Sequence, residues 1–233
     1  MIYVTSDLHG YPLEKFQELL KSVNFGKDDF CFILGDVIDR GNDGVKILEW
    51  IMLQPNVELL LGNHEAFLLS NEFLFTKITD DSIGQLKPEQ LESFCNWIDN
   101  GGNSTIDELR KRTIEELHNI VEYIKEAPLY ETVSVNGRDF LLTHSALDNF
   151  DKNKSLDQYS EHDFLWHRPS MEETFFDDIT CVFGHTPTLL YGSGFRGKIL
   201  KTESWINVDA GAACGLSPAL LRLDDLKEFY LED

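Results

Sequence analysis

The chain has 233 residues, of which 42% are hydrophobic and 26% charged, and its formal net charge is -21 at pH 7. This length allows one large domain or a domain with a sizeable insertion, and the composition is typical of a soluble globular protein. The acidic excess argues against nucleic acid and against an anionic membrane as partners, because both need clustered Lys and Arg.

The chain shows no sign of a membrane span or of a secretory signal. No segment has the ~20 consecutive apolar residues of a span, and the start MIYVTSDLHG lacks a basic region followed by an apolar one. The 4 cysteines are scattered without a CxxC pair, which favours reduced thiols over a disulfide framework or a thiolate zinc site. We therefore expect a cytoplasmic protein.

The first sixty residues alternate between strand and helix patterns. β-Branched and aromatic runs predict strands at 2–5, 30–34 and 57–61. Apolar residues at helical spacing predict helices after Pro12 and over 45–52. This β-α-β-α-β order predicts parallel strands with right-handed crossovers and an α/β fold class.

The rest of the chain has a different organisation. Residues 65 to about 128 carry helical patterns around 91–98 and from 109 to 124, and we predict that this stretch is a helical cap inserted in the fold. Short strand-like segments follow it, and the sequence DDLK at 224–227 predicts a hairpin turn between the last two.

Each N-terminal strand ends in a polar cluster: SDLHG, then GDVIDRG, then GNHE. Charged residues such as Asp36, Asp39 and Arg40 at the end of a buried strand are costly unless something pairs them. Because ligands bind at the carboxyl ends of the strands in open α/β sheets, the three clusters should meet in one crevice.

The residue types in these clusters are those of metal sites. Asp7 and His9 are two positions apart, which would place both side chains on one face of a strand. Further candidates follow other predicted strands: Asp36, Asn63, His144 and His185. Carboxylates, imidazoles and an amide suit Mn, Fe or Zn, and six ligands suit two metals that share one carboxylate. Such a pair, roughly 3.5–4 Å apart, is suited to phosphoryl displacement.

A structural interpretation competes for each motif taken alone. A lone histidine after a strand is more often structural than a ligand, and GNH is ordinary turn chemistry. The conjunction is harder to explain this way, because five separate predicted strand ends each close on a metal-competent residue.

The motifs SDLHG, GDVIDRG and GNHE, in this order, resemble those of the metallophosphoesterase superfamily. The DRG and GNHE forms are similar to its phosphoprotein phosphatase branch, which includes bacterial and phage serine/threonine phosphatases and symmetrical dinucleoside tetraphosphatases. THS at 143–145 and GHTP at 184–187 match the later histidine motifs, and NGGNST and LWHR are similar to elements of the bacterial members. Ser6 stands where the family usually has glycine, a change that removes no ligand.

The resemblance implies a sandwich of two central β-sheets flanked by helices, as a single catalytic domain over 1–233 with the cap at about 65–128. It also implies two divalent metal ions, for which we expect manganese first and iron or zinc as alternatives. In the implied ligand set Asp7 and His9 hold one metal and Asp36 bridges. The second metal is held by Asn63, His144 and His185.

The same resemblance assigns the catalytic roles. Arg40 and Arg168, together with Asn63, would bind substrate phosphate, for which guanidinium groups are well shaped. His64 would protonate the leaving oxygen, and Asp39 would orient His64.

We expect hydrolysis of phosphomonoesters by in-line attack of a hydroxide that bridges the metals, with a phosphoprotein or a small phosphoester as partner. The segment 146–180 is acidic, with only Lys152, Lys154 and Arg168 as cations, which disfavours a long polyphosphate and favours a serine/threonine-type phosphatase. Arg110, Lys111 and Arg112 on the cap argue the other way, unless they simply form an exposed helix face. The alternative is a symmetrical bis(5'-nucleosyl)-tetraphosphatase, and a catalytically silent phosphate-binding module is a third possibility.

Overall fold

The computed structural model describes residues 1–75 and 87–231, and within them ten strands form two five-stranded sheets. The strands of the first sheet are β1 (Ile2–Thr5), β2 (Phe30–Ile33), β3 (Val57–Leu59), β9 (Ala219–Arg222) and β10 (Lys227–Tyr230). The strands of the second sheet are β4 (Tyr130–Val135), β5 (Arg138–Thr143), β6 (Ile179–Phe183), β7 (Leu200–Lys201) and β8 (Trp205–Asn207).

The strand order is β10-β9-β1-β2-β3 in the first sheet and β4-β5-β6-β8-β7 in the second. The predicted parallel arrangement of β1, β2 and β3 is confirmed, and β5, β6 and β8 are also parallel to one another. The predicted hairpin at the end of the chain is formed by β9 and β10. Strand β7 has two residues, too few to show a period in the sequence.

The helices are α1 (Leu13–Ser22), α2 (Gly44–Ile51), α3 (Asn63–Ser70), α4 (Pro88–Asp99), α5 (Asn103–Leu109), α6 (Ile114–Glu126) and α7 (Glu161–Leu165). Helices α1 and α2 connect the parallel strands β1, β2 and β3. Helix α3 begins at Asn63, two residues before the stretch predicted to form the cap, and α4 to α6 lie within that stretch. The part of that stretch at 76–86 lies outside the described residues.

The prediction of one continuous helix from 109 to 124 is wrong. Leu109 is the last residue of α5, and α6 begins at Ile114. The side chain of Thr113 accepts a hydrogen bond from the backbone N–H of Glu116 at 3.3 Å, and the Glu116 carboxylate accepts one from the backbone N–H of Thr113 at 2.7 Å. This reciprocal pair is a capping box, which starts a new helix where apolar periodicity alone suggests continuation.

The two sheets pack face to face. Val4 and Phe32 of the first sheet share a buried cluster with Phe140 and Val182 of the second. The other faces of the sheets are covered by helices, with Phe16 of α1 on the first and Phe164 of α7 on the second. The predicted fold class, two central sheets flanked by helices, is therefore confirmed. None of the described helices is long and apolar enough to cross a membrane.

Candidate active site

The predicted ligands meet at one edge of the sandwich, where the carboxyl ends of parallel strands from both sheets converge. Each strand contributes the residues that follow it in the chain: Asp7 and His9 after β1, Asp36 after β2, Asn63 and His64 after β3, His144 after β5 and His185 after β6. All seven side chains belong to residues that are buried.

Two groups of potential metal ligands share Asp36. Among the described residues, His9, Asp36 and His64 form one group of convergent ligand atoms, and Asp36, His144 and His185 form the other. One Asp36 oxygen lies 3.5 Å from His9 Nε2, and the other lies 3.5 Å from His144 Nε2. A carboxylate with one oxygen facing each group is placed as a bridging ligand would be.

His144 presents a lone pair to the centre of the second group. His144 Nδ1 donates to the carbonyl oxygen of Leu34 at 2.7 Å, so in the neutral ring Nε2 carries the lone pair. That atom faces the Asn63 Oδ1 at 2.8 Å and the His185 Nδ1 at 3.2 Å. The His144 Nε2 and the Asn63 Oδ1 are both acceptors and repel one another, and a cation between them relieves the repulsion.

The first group has the same orientation. His9 Nδ1 donates to the carbonyl oxygen of Ile38 at 3.0 Å, which leaves Nε2 as the atom directed at Asp36. The Asp7 Oδ1 lies 3.9 Å from the same Nε2. The second oxygen of Asp7 accepts the backbone N–H of His185 at 2.8 Å, which joins the two groups through the protein frame.

Burial makes this cluster electrostatically unfavourable unless cations are added. Desolvation raises the pKa of Asp7, and it raises the pKa of Asp36 well above its usual value, to which the charges of Asp7 and Glu65 contribute. Desolvation also lowers the pKa of His144, and of His9 well below its usual value. The buried donors are carboxylates, imidazoles and an amide without a thiolate, a set that fits two divalent ions of the Mn, Fe or Zn type.

The backbone around the cluster adopts left-handed conformations that the sequence analysis did not anticipate. Among the non-glycine residues described, ten have positive φ, and six of them are in this site: Asp7, His9, Asp36, Asp39, Arg40 and His185. The Asp7 and His9 side chains therefore approach each other through turns beyond β1 and not through strand alternation. Such conformations cost of order 1–3 kcal/mol each and concentrate at functional sites.

Two glycines are required by close approach of the backbone. A Cβ on Gly184 would lie 2.1 Å from the Asp7 Oδ2, and one on Gly62 would lie 2.4 Å from both the backbone nitrogen and Oδ1 of Asp36. Ser6 does not have positive φ, so serine meets no backbone penalty at the position where the family usually has glycine.

His64 is held by Asp39, and Asp39 is held by the helices of the cap region. His64 Nδ1 lies 2.6 Å from the Asp39 Oδ2, which also accepts the indole N–H of Trp97 at 2.9 Å. The Thr105 hydroxyl donates to Asp39 Oδ1 at 2.5 Å. Burial raises the pKa of Asp39 to about 7, although these two hydrogen bonds act to lower it. A carboxylate fixed in this way determines the orientation of the imidazole.

Arg40 and Arg168 both line the cavity over the cluster, which has a volume of about 190 Å³. The Arg40 guanidinium donates to Nε2 of His9 at 2.8 Å and to Nε2 of His64 at 3.1 Å. A metal on His9 would take the Nε2 lone pair to which Arg40 donates in this structure. In a metal-loaded site, Arg40 must therefore release His9. Trp166 also lines this cavity and is 37% exposed, so this side chain is not confined to packing.

Two buried carboxylates of the site were missed in the sequence. Asp209 follows β8, lines the cavity, and has a pKa raised well above its usual value by burial and by the charge of Asp7. The sequence NVDAGA at 207–212 follows the same strand-end rule and could have identified it. Glu65 is fully buried and accepts backbone N–H groups of the loop after β2.

Of the charged residues in the segments that were weighed for substrate choice, Arg168 alone lines the cavity. Of residues 146–180, only Trp166 and Arg168 line it. Arg112 forms an ion pair with Glu49 at 2.6 Å, and Arg110 pairs with Asp107 at 3.4 Å. The charge balance of these segments is therefore not the charge at the wall of this cavity.

Comparison with known proteins places the chain among phosphoesterases. A symmetrical bis(5'-nucleosyl)-tetraphosphatase of Chromobacterium violaceum is 40% identical over 102 residues, which is 42% of this chain and 36% of that protein. The protein of the same name from Buchnera aphidicola subsp. Baizongia pistaciae is 22% identical in an alignment 281 positions long, which covers 99% of this chain and 97% of that protein. The more similar relatives, of 34–40% identity, are matched over only 36–41% of their own length.

Two solved structures share the fold. One, proposed to be a diadenosine tetraphosphatase, has a TM-score of 0.60 and 18% identity over 97% of this chain and 90% of that chain. A protein serine/threonine phosphatase from Saccharomyces cerevisiae has a TM-score of 0.56 and 14% identity over 100% and 80%. The family model of calcineurin-like phosphoesterases matches residues 1–205. The chain therefore belongs to the calcineurin-like phosphoesterase family, within the metallophosphoesterase superfamily.

Proposed function

We propose that the chain hydrolyses dinucleoside tetraphosphates symmetrically and that it does so with two divalent metal ions. The observation that carries the proposal is the position of Asp36 between two groups of buried ligands, under a cavity that Arg40 and Arg168 line. The names of the curated relatives support the substrate, since they are symmetrical tetraphosphatases. Their support outweighs the preference for phosphomonoesters that the sequence suggested.

In the proposed ligand set, Asp7 and His9 hold one ion, Asp36 bridges, and the second ion is held by Asn63, His144 and His185. His64, although its ring belongs to the first group of convergent atoms, is not a ligand in this set and serves the substrate instead. When bound, the ions neutralise phosphate charge and lower the pKa of the attacking water. The side chains of Arg40 and Arg168 would bind non-bridging phosphate oxygens.

In the reaction one P–O bond forms and one P–O bond breaks; the attacking water releases a proton to solvent, and the leaving oxygen receives one from His64. The water oxygen bonds to a phosphorus at the centre of the tetraphosphate, and the bond from that phosphorus to the central bridging oxygen breaks. The products are two nucleoside diphosphates. His64 lines the cavity, and Asp39 holds its Nδ1 at 2.6 Å. Arg40 donates to His64 Nε2 in this structure; once Arg40 has turned to the phosphate, a protonated Nε2 would give its proton to the departing oxygen.

The acidic segment 146–180 no longer argues against this substrate. None of its carboxylates lines the cavity; Trp166 and Arg168 are the residues of this segment that do. Several are engaged elsewhere: Asp163 accepts the backbone N–H of Ser160 at 2.8 Å, and Glu173 pairs with His167 at 2.8 Å. The charged groups at the cavity are Arg40, Arg168 and the carboxylates Asp7, Asp36 and Asp209, to which bound metals would add positive charge.

The test compares kcat/KM for diadenosine tetraphosphate and for a phosphoserine peptide with manganese-loaded protein. We expect a preference for the dinucleotide of about a hundredfold, or about 2.7 kcal/mol of transition-state discrimination. The same preference for the phosphopeptide would establish a protein phosphatase instead. Failure to hydrolyse either compound or p-nitrophenyl phosphate would leave a phosphate-binding module.

A further inference from the structure

A second cavity adjoins the one over the ligand cluster. It has a volume of about 450 Å³ and shares His9 and Arg40 with the first. The first cavity, about 190 Å³, is below the roughly 300–1,000 Å³ of sites that enclose a drug-sized ligand, whereas the second is within that range. A substrate with its phosphates over the ligand cluster must place its larger groups outside the first cavity.

The walls of the second cavity are suited to a neutral group with a few hydroxyls. Pro12, Ala213 and Leu216 supply apolar surface, and Tyr11 and Ser217 supply hydroxyls. Sites for small organic ligands typically combine mostly apolar walls with a few placed polar groups. Acidic residues make up 41 of 233 in the chain, yet none of the described residues that line this cavity is acidic. A group linked to a polyphosphate therefore meets no carboxylate among the described residues in the wall of this cavity.

We propose that this second cavity binds one nucleoside of the substrate, an inference that rests on the proposed function. Arg40 stands at the junction of the two cavities, where the phosphates nearest that nucleoside would pass. The base would pack against Tyr11 and Leu216. The hydroxyls of Tyr11 and Ser217 lie 3.1 Å apart, and because only one hydrogen is used between them, the pair keeps a donor and acceptors for the ribose.

The loop that closes the cavity offers a matched pair of variants. Ala213 lines the cavity, and the next residue, Cys214, is exposed and does not. Ala213→Trp would fill the space, whereas Cys214→Trp adds the same indole to the same short 3₁₀ helix but outside the cavity. Ala213→Leu is a smaller filling variant that serves if the indole prevents folding.

The experiment measures inhibition of p-nitrophenyl phosphate hydrolysis by ADP and by pyrophosphate at buffered free manganese. We expect Ala213→Trp to weaken ADP relative to pyrophosphate by at least about tenfold, and Ala213→Leu by about threefold, because the nucleoside and the new side chain would compete for the same space. Cys214→Trp should keep the wild-type ratio. An unchanged ratio in the Ala213 variants, or an equal change in Cys214→Trp, would overturn the inference.

The outcome is separable from that of the proposed function. If the ratio changes as expected but wild-type protein does not hydrolyse diadenosine tetraphosphate, the nucleoside cavity stands and the proposed substrate fails. If the dinucleotide is hydrolysed and the Ala213 variants leave the ratio unchanged, the substrate stands and the nucleoside lies elsewhere.

Discussion

Glu65→Gln should destabilise the protein strongly, because each oxygen of the Glu65 carboxylate accepts two backbone N–H groups. Oε2 accepts those of Asp36 at 2.7 Å and Gly62 at 3.1 Å. Oε1 accepts those of Val37 at 2.9 Å and Ile38 at 3.4 Å. Glutamine keeps one oxygen, and its amide nitrogen would face the other two donors. The loop that carries Asp36 would lose half of its anchor.

The magnitude follows from the number of donors left without an acceptor. A buried unsatisfied group costs about 1–3 kcal/mol, so two such donors cost roughly 2–6 kcal/mol. Partial relaxation of the loop reduces this, and we expect a loss of about 3 kcal/mol from the free energy of unfolding. That is a large fraction of the roughly 5–15 kcal/mol by which a domain is stable.

Urea unfolding monitored by tryptophan fluorescence measures the effect. Because burial raises the pKa of Glu65 to about 7, the measurement belongs at pH 8, where the carboxylate is mostly ionised. Glu18→Gln is the control, since Glu18 is exposed and, among residues 1–75 and 87–231, pairs with Lys15 alone; it should change the stability by less than about 0.5 kcal/mol. Equal unfolding midpoints for Glu65→Gln and wild type, at equal m-values, would refute this account of Glu65.

Three further predictions follow from the site and from burial. Chelation should abolish hydrolysis of p-nitrophenyl phosphate, and added manganese should restore it; full activity in metal-free protein would contradict this. Asp36→Asn should lower activity more than loss of any other single ligand, because both groups of ligands use Asp36. His64→Asn should lower kcat by roughly 10²–10⁴ for poor leaving groups at unchanged metal content, with a smaller loss for good ones; equal losses would count against proton donation. Burial raises the pKa of the Cys31 and Cys181 thiols to about 12. At pH 8 a thiol reagent should therefore modify only the exposed pair, Cys95 and Cys214, until the protein unfolds. Rapid modification of all four cysteines in the folded protein would show that the buried pair is accessible.

In the cap region, local sequence patterns predicted the helices but not the long-range contacts that these helices make with the active site. Apolar spacing predicted that the stretch is helical, and the capping box at Thr113 was present in the sequence as T-x-x-E. The contact of Trp97 with Asp39 joins residues 58 positions apart, and that of Thr105 with Asp39 joins residues 66 apart. No periodicity signals a contact at such a separation, because it depends on how the helix packs against the loop.

The sequence by itself determined the parallel β-α-β-α-β arrangement of the N-terminal segment and the position of six potential ligands at strand ends. It could do so because parallel strands bring their carboxyl ends to one edge, whatever the details of the loops. Only the tertiary structure decided which atoms of these residues face the centre of the ligand cluster. The left-handed turns at Asp7, His9 and Asp36 are stabilised only by the surrounding fold, since for non-glycine residues this conformation is disfavoured locally. The charge at the wall of the cavity was likewise decided by the tertiary structure, because the acidic residues of 146–180 lie near Arg168 in the sequence but do not line the cavity.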